Sequence, residues 1–199
     1  MNLHTFIFIG RSGAGKGTQS LLLQKFLNKK YSNTPLVYIE TGEYFRKYIK
    51  NSGYTWDLAR EIYDTGGRQP DFLAVWIWSQ VFIEKLKKDQ HLIFDGTPRS
   101  LGEAQMLNTA LPFYGRTNPV VVFLDVSQEW SENRLRERGR ADDLDSKTIA
   151  RRLSWYEKDV LPAINFYKDN PSYRFLHINA EQTPEEIHKE ILRGSGLTK

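Results

Sequence analysis

Near its start the chain runs Thr5-Phe6-Ile7-Phe8-Ile9, then Gly10-Arg11-Ser12-Gly13-Ala14-Gly15-Lys16, and then enters a stretch of helical character. A short β-rich apolar run, a glycine-rich turn and a helix start, in that order, admit few folds. Glycines let successive backbone N–H groups point inward at an anion, in a concavity that side chains would block. A helix opening at Lys16 adds the positive end of its dipole. Lys16 itself supplies a mobile cation that can reach terminal phosphates. The segment is therefore read as a phosphate-binding P-loop, against the plainer reading of a glycine-rich turn carrying a surface lysine.

The rest of the chain repeats the same rhythm. Strands are expected over 5–9, 36–39, 91–94, 120–125 and 173–178, with helices over 16–29, 43–51, 56–65, 71–88, 101–109, 128–137, 147–168 and 184–193. Pro162 should kink or break the long helix 147–168. Strands alternating with helices predict an α/β fold of three layers around a five-stranded parallel sheet, in the manner of P-loop NTPases. Two segments interrupt the alternation, 40–69 and the polar stretch 138–146, and excursions of this kind often carry function. The division expected is one domain with a core of 1–39, 70–137 and 147–199, an arm at 40–69 and a lid at 138–146. A chain of 199 residues fits that single domain.

Composition narrows the chemistry. With no cysteine, thiolate zinc sites, disulfides and cysteine nucleophiles are excluded, and a reducing compartment is consistent. A net charge of +4 leaves nucleic acid, an anionic membrane or a phosphorylated small ligand open. Six arginines crowd 134–152, and no basic-aromatic pattern typical of nucleic-acid binders accompanies them. No apolar stretch is long enough to span a bilayer, and the first ten residues lack the features of a secretion signal. The expectation at this point is a soluble, cytoplasmic protein. The histidines (His4, His91, His177, His188) show no ligand spacing. Val75, Trp76, Trp78 and Phe82 recur at helical spacing and read as core rather than as base-stacking residues.

Gly10–Gln19, with Gly-Lys-Gly-Thr-Gln at its end, resembles the phosphate loop of adenylate kinases and related nucleoside monophosphate kinases. The resemblance covers nearly the whole chain. Thr41-Gly42 with Arg46 resembles the opening of the family's monophosphate-binding arm, with Glu40 and Glu43 in place of the usual Ser and Asp. Gly67-Arg68-Gln69-Pro70 stands where that arm closes. Asp95-Gly96-Thr97-Pro98-Arg99 resembles the family's Asp-Gly-Phe-Pro-Arg; Thr97 for the aromatic is expected to loosen the wall of the acceptor pocket. Arg134, Arg138, Arg140 and Arg152 match the lid and lid-flanking arginines, and Arg140-Ala141-Asp142-Asp143 resembles Arg-x-Asp-Asp. Arg151 could exchange with Arg152. Ile178-Asn179-Ala180-Glu181 resembles the last strand and the loop whose backbone meets the adenine of ATP, with Gln182 for a frequent Gly. Between Arg138 and Arg140 stands only Gly139, so the lid is very short.

The resemblance implies a phosphotransferase moving the γ-phosphoryl group of ATP to a nucleoside monophosphate, most simply AMP (ATP + AMP = 2 ADP). ATP and Mg2+ would be the cofactors, and the partners would be small nucleotides, bound by a monomer, with no nucleic acid and no membrane. Lys16, Arg99, Arg138, Arg140 and Arg152 would be catalytic. ATP would lie on Gly13, Ala14, Gly15, Lys16, Gly17, Thr18, Arg134, Arg138 and Gln182. The acceptor would lie on Thr41, Gly42, Arg46, Arg68, Gln69, Gly96, Arg99, Glu103, Arg140 and Arg152. Asp95 would hold Mg2+ through water. Gly17 stands where the general P-loop has its metal-binding hydroxyl, so water and substrate phosphates should supply most of the coordination.

Glu103 departs from the family's Gln, which both donates to and accepts from adenine. A carboxylate only accepts; it suits adenine's amine but not its ring nitrogen, and suits guanine better. Gln105 could take the role if the helix starts differently, or Glu103 could merely favour a helix N-terminus. Two other functions stand beside this one: a P-loop kinase for another small acceptor, and a catalytically weak nucleotide-binding or regulatory protein.

Overall fold

The computed structural model describes residues 3–139 and 146–199. Five parallel strands form one sheet: β1 (Thr5–Gly10), β2 (Leu36–Glu40), β3 (His91–Asp95), β4 (Val120–Asp125) and β5 (Arg174–Asn179), in the order β2-β3-β1-β4-β5. The three inner strands β3, β1 and β4 are buried almost throughout, whereas the edge strands β2 and β5 are only partly so. That matches the continuous apolar runs a parallel sheet covered on both faces requires.

Side-chain parity separates the two layers, because successive residues of a strand face opposite sides. Ile7, Ile9, Leu92, Phe94, Val121 and Phe123 pack against α4 (Asp71–Lys85), α5 (Leu101–Phe113) and α8 (Leu161–Lys168). Phe6, Phe8, Ile93, Val122 and Leu124 pack against α1 (Lys16–Lys30) and α9 (Pro184–Gly194). The arm helices α2 (Thr41–Tyr48) and α3 (Tyr54–Asp64) join α4 in a smaller core of Phe45, Ile49, Ala59, Leu73, Ala74 and Ile77. Leu135, Ile149 and Leu153 hold α6 (Gln128–Arg138) to α7 (Ser146–Trp155) at the foot of the lid stretch.

Three expectations change. The segment 147–168 is not simply broken at Pro162. A π-helical turn, Tyr156–Val160, precedes it, and the Leu161 N–H donates to the Tyr156 carbonyl one residue farther back than in an α-helix. A wider turn relieves the crowding a proline imposes on the preceding carbonyls. Trp78 and Phe82 are core, but Trp76 is 42% exposed and packs on the arm residues Tyr48 and Trp56. Helix α5 continues past 109 to Phe113 and carries Pro112 in its last turn.

The strand order reverses at β1, so the crevice for a ligand lies beyond the carboxyl ends of β1 and β3. Phe8 pairs with Asp95 across these strands, and the Gly96 N–H donates to the Phe8 carbonyl (3.3 Å). The glycine loop and the Asp95–Arg99 turn thereby become neighbours.

Candidate active site

One cavity of about 900 Å³ lies over these strand ends, between the glycine loop, the arm and the α6–α7 pair. It is lined by Gly13, Ala14, Gly15, Lys16, Gly17, Thr18, Arg134, Arg138 and Gln182 on one side. Thr41, Gly42, Arg46, Arg68, Gln69, Asp95, Gly96, Arg99, Glu103 and Arg152 complete it. Of the residues expected at the site, only Arg140 lies outside the described residues, as do its neighbours Asp142 and Asp143.

At the loop, Gly13 has φ +86°, and a Cβ there would stand 2.7 Å from the Ser131 carbonyl oxygen of α6. Only glycine lets the loop pass so close to that helix. Lys16 folds over the loop and donates to the carbonyls of Gly10 (3.0 Å) and Arg11 (2.6 Å). Burial lowers its pKa to about 7, with Arg99, Arg138 and Arg152 adding to the effect and Asp95 opposing it. Arg11 leaves the cavity: its guanidinium stacks 3.7 Å over the Tyr156 ring and pairs with Glu157 at 2.8 Å.

Asp95 is buried and accepts a hydrogen bond from the Tyr38 hydroxyl (2.7 Å); burial raises its pKa, while Tyr38 and Lys16 pull it back. A Cβ on Gly17 would lie 3.3 Å from Asp95 Oδ2, so the glycine leaves space beside that oxygen. Among the described residues no group of three or more acidic or histidine side chains could cage a metal. A single buried carboxylate with open space beside it suits Mg2+, which retains most of its water, and does not suit an all-protein cage.

Arg99 Nε donates to the Gly96 carbonyl (2.6 Å), and burial beside Arg152 lowers its pKa. Arg46 Nη2 donates to Glu40 Oε1 at 2.6 Å. Thr97 is buried, and its hydroxyl bonds the Thr41 hydroxyl across the cavity floor. The smaller residue thus makes a polar tie to Thr41, which an aromatic ring could not make. Arg68 contacts Asp71, Asp159 (3.4 Å) and Glu103 (3.6 Å), while Gln69 Nε2 donates to the Ala59 carbonyl (2.7 Å) and secures the closing corner. Glu103 is 2% exposed and faces the cavity; Gln105 is exposed and does not line it.

Arg134 lies over the Trp130 ring (5.3 Å) at the outer rim, and Gln182 Nε2 donates to the Asn179 carbonyl (2.8 Å) and to Glu190 (3.2 Å). Arg152 lines the cavity, whereas Arg151 donates to the Thr65 carbonyl (2.7 Å) and ties α7 to the arm. Arg136 pairs with Glu132 on the surface. Sequence reasoning did not single out Tyr38, Trp130 or Trp155, which all line the cavity, nor assign Glu40 a contact. Tyr38 reaches Asp95 only through the pairing of β2 with β3, which sets Glu40 beside Asp95.

A loop built for phosphate, a strand-end Asp-Gly-x-Pro-Arg turn and a helical arm now share one cavity. The adenylate kinase family model matches residues 8–172. The chain belongs to the adenylate kinase family. It is 33% identical over 192 residues to the adenylate kinase of Flavobacterium psychrophilum, covering 93% of this chain and 94% of that protein. It is 35% identical over 191 residues to the Bacteroides fragilis adenylate kinase, covering 94% and 95%. Adenylate kinase 1 of a Nostoc species is 33% identical over 185 residues, covering 93% and 95%. As an adenylate kinase family member the chain is a phosphotransferase whose cofactors are ATP and Mg2+. No described helix is long and apolar enough to cross a membrane.

Proposed function

We propose that this adenylate kinase family chain holds ATP and AMP at the two ends of the one cavity and moves the γ-phosphoryl group between them, ATP + AMP = 2 ADP. The convergence of Lys16, Arg46, Arg99, Arg138 and Arg152 on a single cavity carries the reading. A triphosphate facing a monophosphate presents more negative charge than a single phosphate group, and this cluster of cations suits it.

The glycine loop and Lys16 take the β- and γ-phosphates of ATP, with Arg134, Arg138 and the Gln182 loop on the nucleoside side. Arg46 and Arg99 grip the AMP phosphate, and Thr41, Gly42, Arg68, Gln69 and Glu103 surround its nucleoside. Arg152, and Arg140 beyond the described residues, bridge both substrates. Asp95 would hold Mg2+ through water; the ion supplies charge neutralisation between the phosphates. An AMP phosphate oxygen forms a bond to the γ-phosphorus while the β–γ bridging bond breaks, leaving its electron pair on the β-phosphate of ADP. No general base is needed, because a phosphate with a second pKa near 6 is largely ionised at neutral pH. Guanidinium groups stabilise the charge that spreads over the equatorial oxygens of the loose transition state, and they do so best once water is excluded. The 40–69 arm and the 138–146 lid would close over a fixed core for that purpose.

The absence of cysteine supports a reducing, cytoplasmic setting. A coupled assay of ADP formation from ATP with AMP, GMP, CMP, UMP and dTMP tests the function. AMP should be the preferred acceptor; tight ATP binding without monophosphate-dependent ADP formation would refute it.

A further inference from the structure

Glu103 is a buried acid beside the acceptor nucleoside to which the chemistry above gives no specific contact. It stands in the first turn of α5, three residues after Ser100. The same spacing at Thr183 and Glu186 opens α9 with a full reciprocal cap, in which both side chains bond the partner's backbone. In α5 only half of that cap forms. Ser100 Oγ accepts from the Glu103 N–H (3.1 Å), but the Glu103 carboxyl turns into the cavity and its Oε2 has no hydrogen-bond partner. The reciprocal cap therefore does not form here, although the Arg99 backbone N–H, one residue before Ser100, approaches the carboxyl.

Its surroundings are poor in charge compensation. Arg68 is 3.6 Å away but is held closer by Asp159 and by Asp71, and Asp71 also faces Glu103 as a like charge. Arg99, from the β3 turn, favours the ionised form through its guanidinium and its backbone N–H. The guanidinium is bonded to the Gly96 carbonyl and stands beside Arg152 and Arg46, in the part of the cavity assigned to phosphate. The buried Tyr167 phenol approaches from α8. Three carboxylates thus share the Arg68 guanidinium, and Glu103 is the most buried of them.

We propose that Glu103 reads the adenine of AMP as a neutral carboxylic acid, its O–H donating to ring nitrogen N1 and its carbonyl oxygen accepting from the adjacent exocyclic amine. The inference rests on assigning this end of the cavity to the acceptor nucleoside. An ionised carboxylate is two acceptors and complements guanine, whose ring N–H and amine both donate. The acid is one donor beside one acceptor and complements adenine, so a single proton selects the base. Burial pushes Glu103 up to about 7, with Arg99 opposing and Asp71 reinforcing, so the acid is accessible near neutral pH.

The test compares AMP and GMP binding to the full chain by calorimetry between about pH 6.5 and pH 8.5. The ratio of AMP to GMP affinity should fall on the order of tenfold per pH unit above the Glu103 midpoint. The phosphate and Lys16 also titrate in this range, but both ligands share them and they cancel in the ratio. In buffers of different ionisation enthalpy near pH 8, AMP binding should take up about one more proton in the wild type than in Glu103→Gln, whose amide carries the donor permanently. A pH-independent ratio, or equal proton uptake in the two proteins, would overturn the proposal. If AMP binds but GMP binds more tightly throughout, with no uptake, Glu103 is an ionised guanine reader. If neither protein binds AMP nor forms ADP from it, the acceptor-site assignment fails first, and the proposal with it.

Discussion

Before a substrate arrives, the Arg46 guanidinium is already engaged by Glu40 at 2.6 Å, each side chain between a quarter and a third exposed. The incoming AMP phosphate must compete with that carboxylate. Fully exposed pairs contribute about 0.2–1 kcal/mol, whereas two unit charges 4 Å apart at an effective dielectric near 20 attract by about 4 kcal/mol before desolvation. A half-buried pair with one good hydrogen bond sits near the lower limit, at about 1 kcal/mol. Replacing Glu40 with Gln keeps the side chain's shape and its oxygen acceptor but removes the competing charge. Arg46 then turns to the phosphate at less cost, and KM for AMP should fall about fivefold, since 1.4 kcal/mol is a factor of ten. KM for ATP should change much less, because Arg46, the group released, lies on the acceptor side of the cavity. Steady-state kinetics in a lactate dehydrogenase-coupled assay at low salt resolves such a change. A rise in KM for AMP would refute the reasoning and show that Glu40 holds Arg46 in position for phosphate rather than away from it.

Other perturbations probe the rest of the structure. Lys16→Ala and Arg99→Ala should each lower turnover by roughly 10²-fold or more with the far-ultraviolet circular dichroism unchanged; near-normal turnover in a folded variant would remove that residue from the mechanism. Thr97→Val keeps the volume but strands the Thr41 hydroxyl in a buried site, so urea denaturation should show a loss of about 1–2 kcal/mol. The His4 backbone N–H donates to His91 Nδ1 (3.0 Å), which must stay unprotonated to accept it; burial lowers the His91 pKa to about 4, with His4 and Arg116 contributing. A folded pKa below the unfolded one means the unfolded chain binds the proton first. Stability from this residue is complete above about pH 6.5, declines as pH falls toward 4 and levels off below it. Unfolding free energies from urea titrations at about pH 7.5 and pH 5 should differ by on the order of 1–2 kcal/mol, and His91→Asn should reduce the difference.

Much of the site is readable from residues alone because its chemistry is local. A glycine loop dictates its own backbone, and an Asp-Gly-x-Pro-Arg turn at a strand end faces the ligand crevice of any parallel sheet. That only one of Arg151 and Arg152 faces the cavity is also local, since adjacent helix residues point about 100° apart, but which one does so is set by the packing of α7. Contacts between elements distant in sequence are a different matter. Tyr38 looks like any edge-strand aromatic until the β2–β3 register sets it over Asp95. Thr97 shows no partner in the sequence; Thr41 supplies one from the arm. Trp76 falls at core spacing on its helix, yet the arm only partly covers it.

The amino-acid order by itself determined the layered α/β fold, the phosphate loop and the two ranks of arginines, because periodicity, glycine and strand-end position act within a few residues. Only the tertiary structure shows what Glu40 and Glu103 touch. A carboxylate's function depends on its charge state and on which cation it can reach. Those are set by burial and by partners from other elements: Arg46 in one case, and in the other an Arg68 already shared with Asp71 and Asp159.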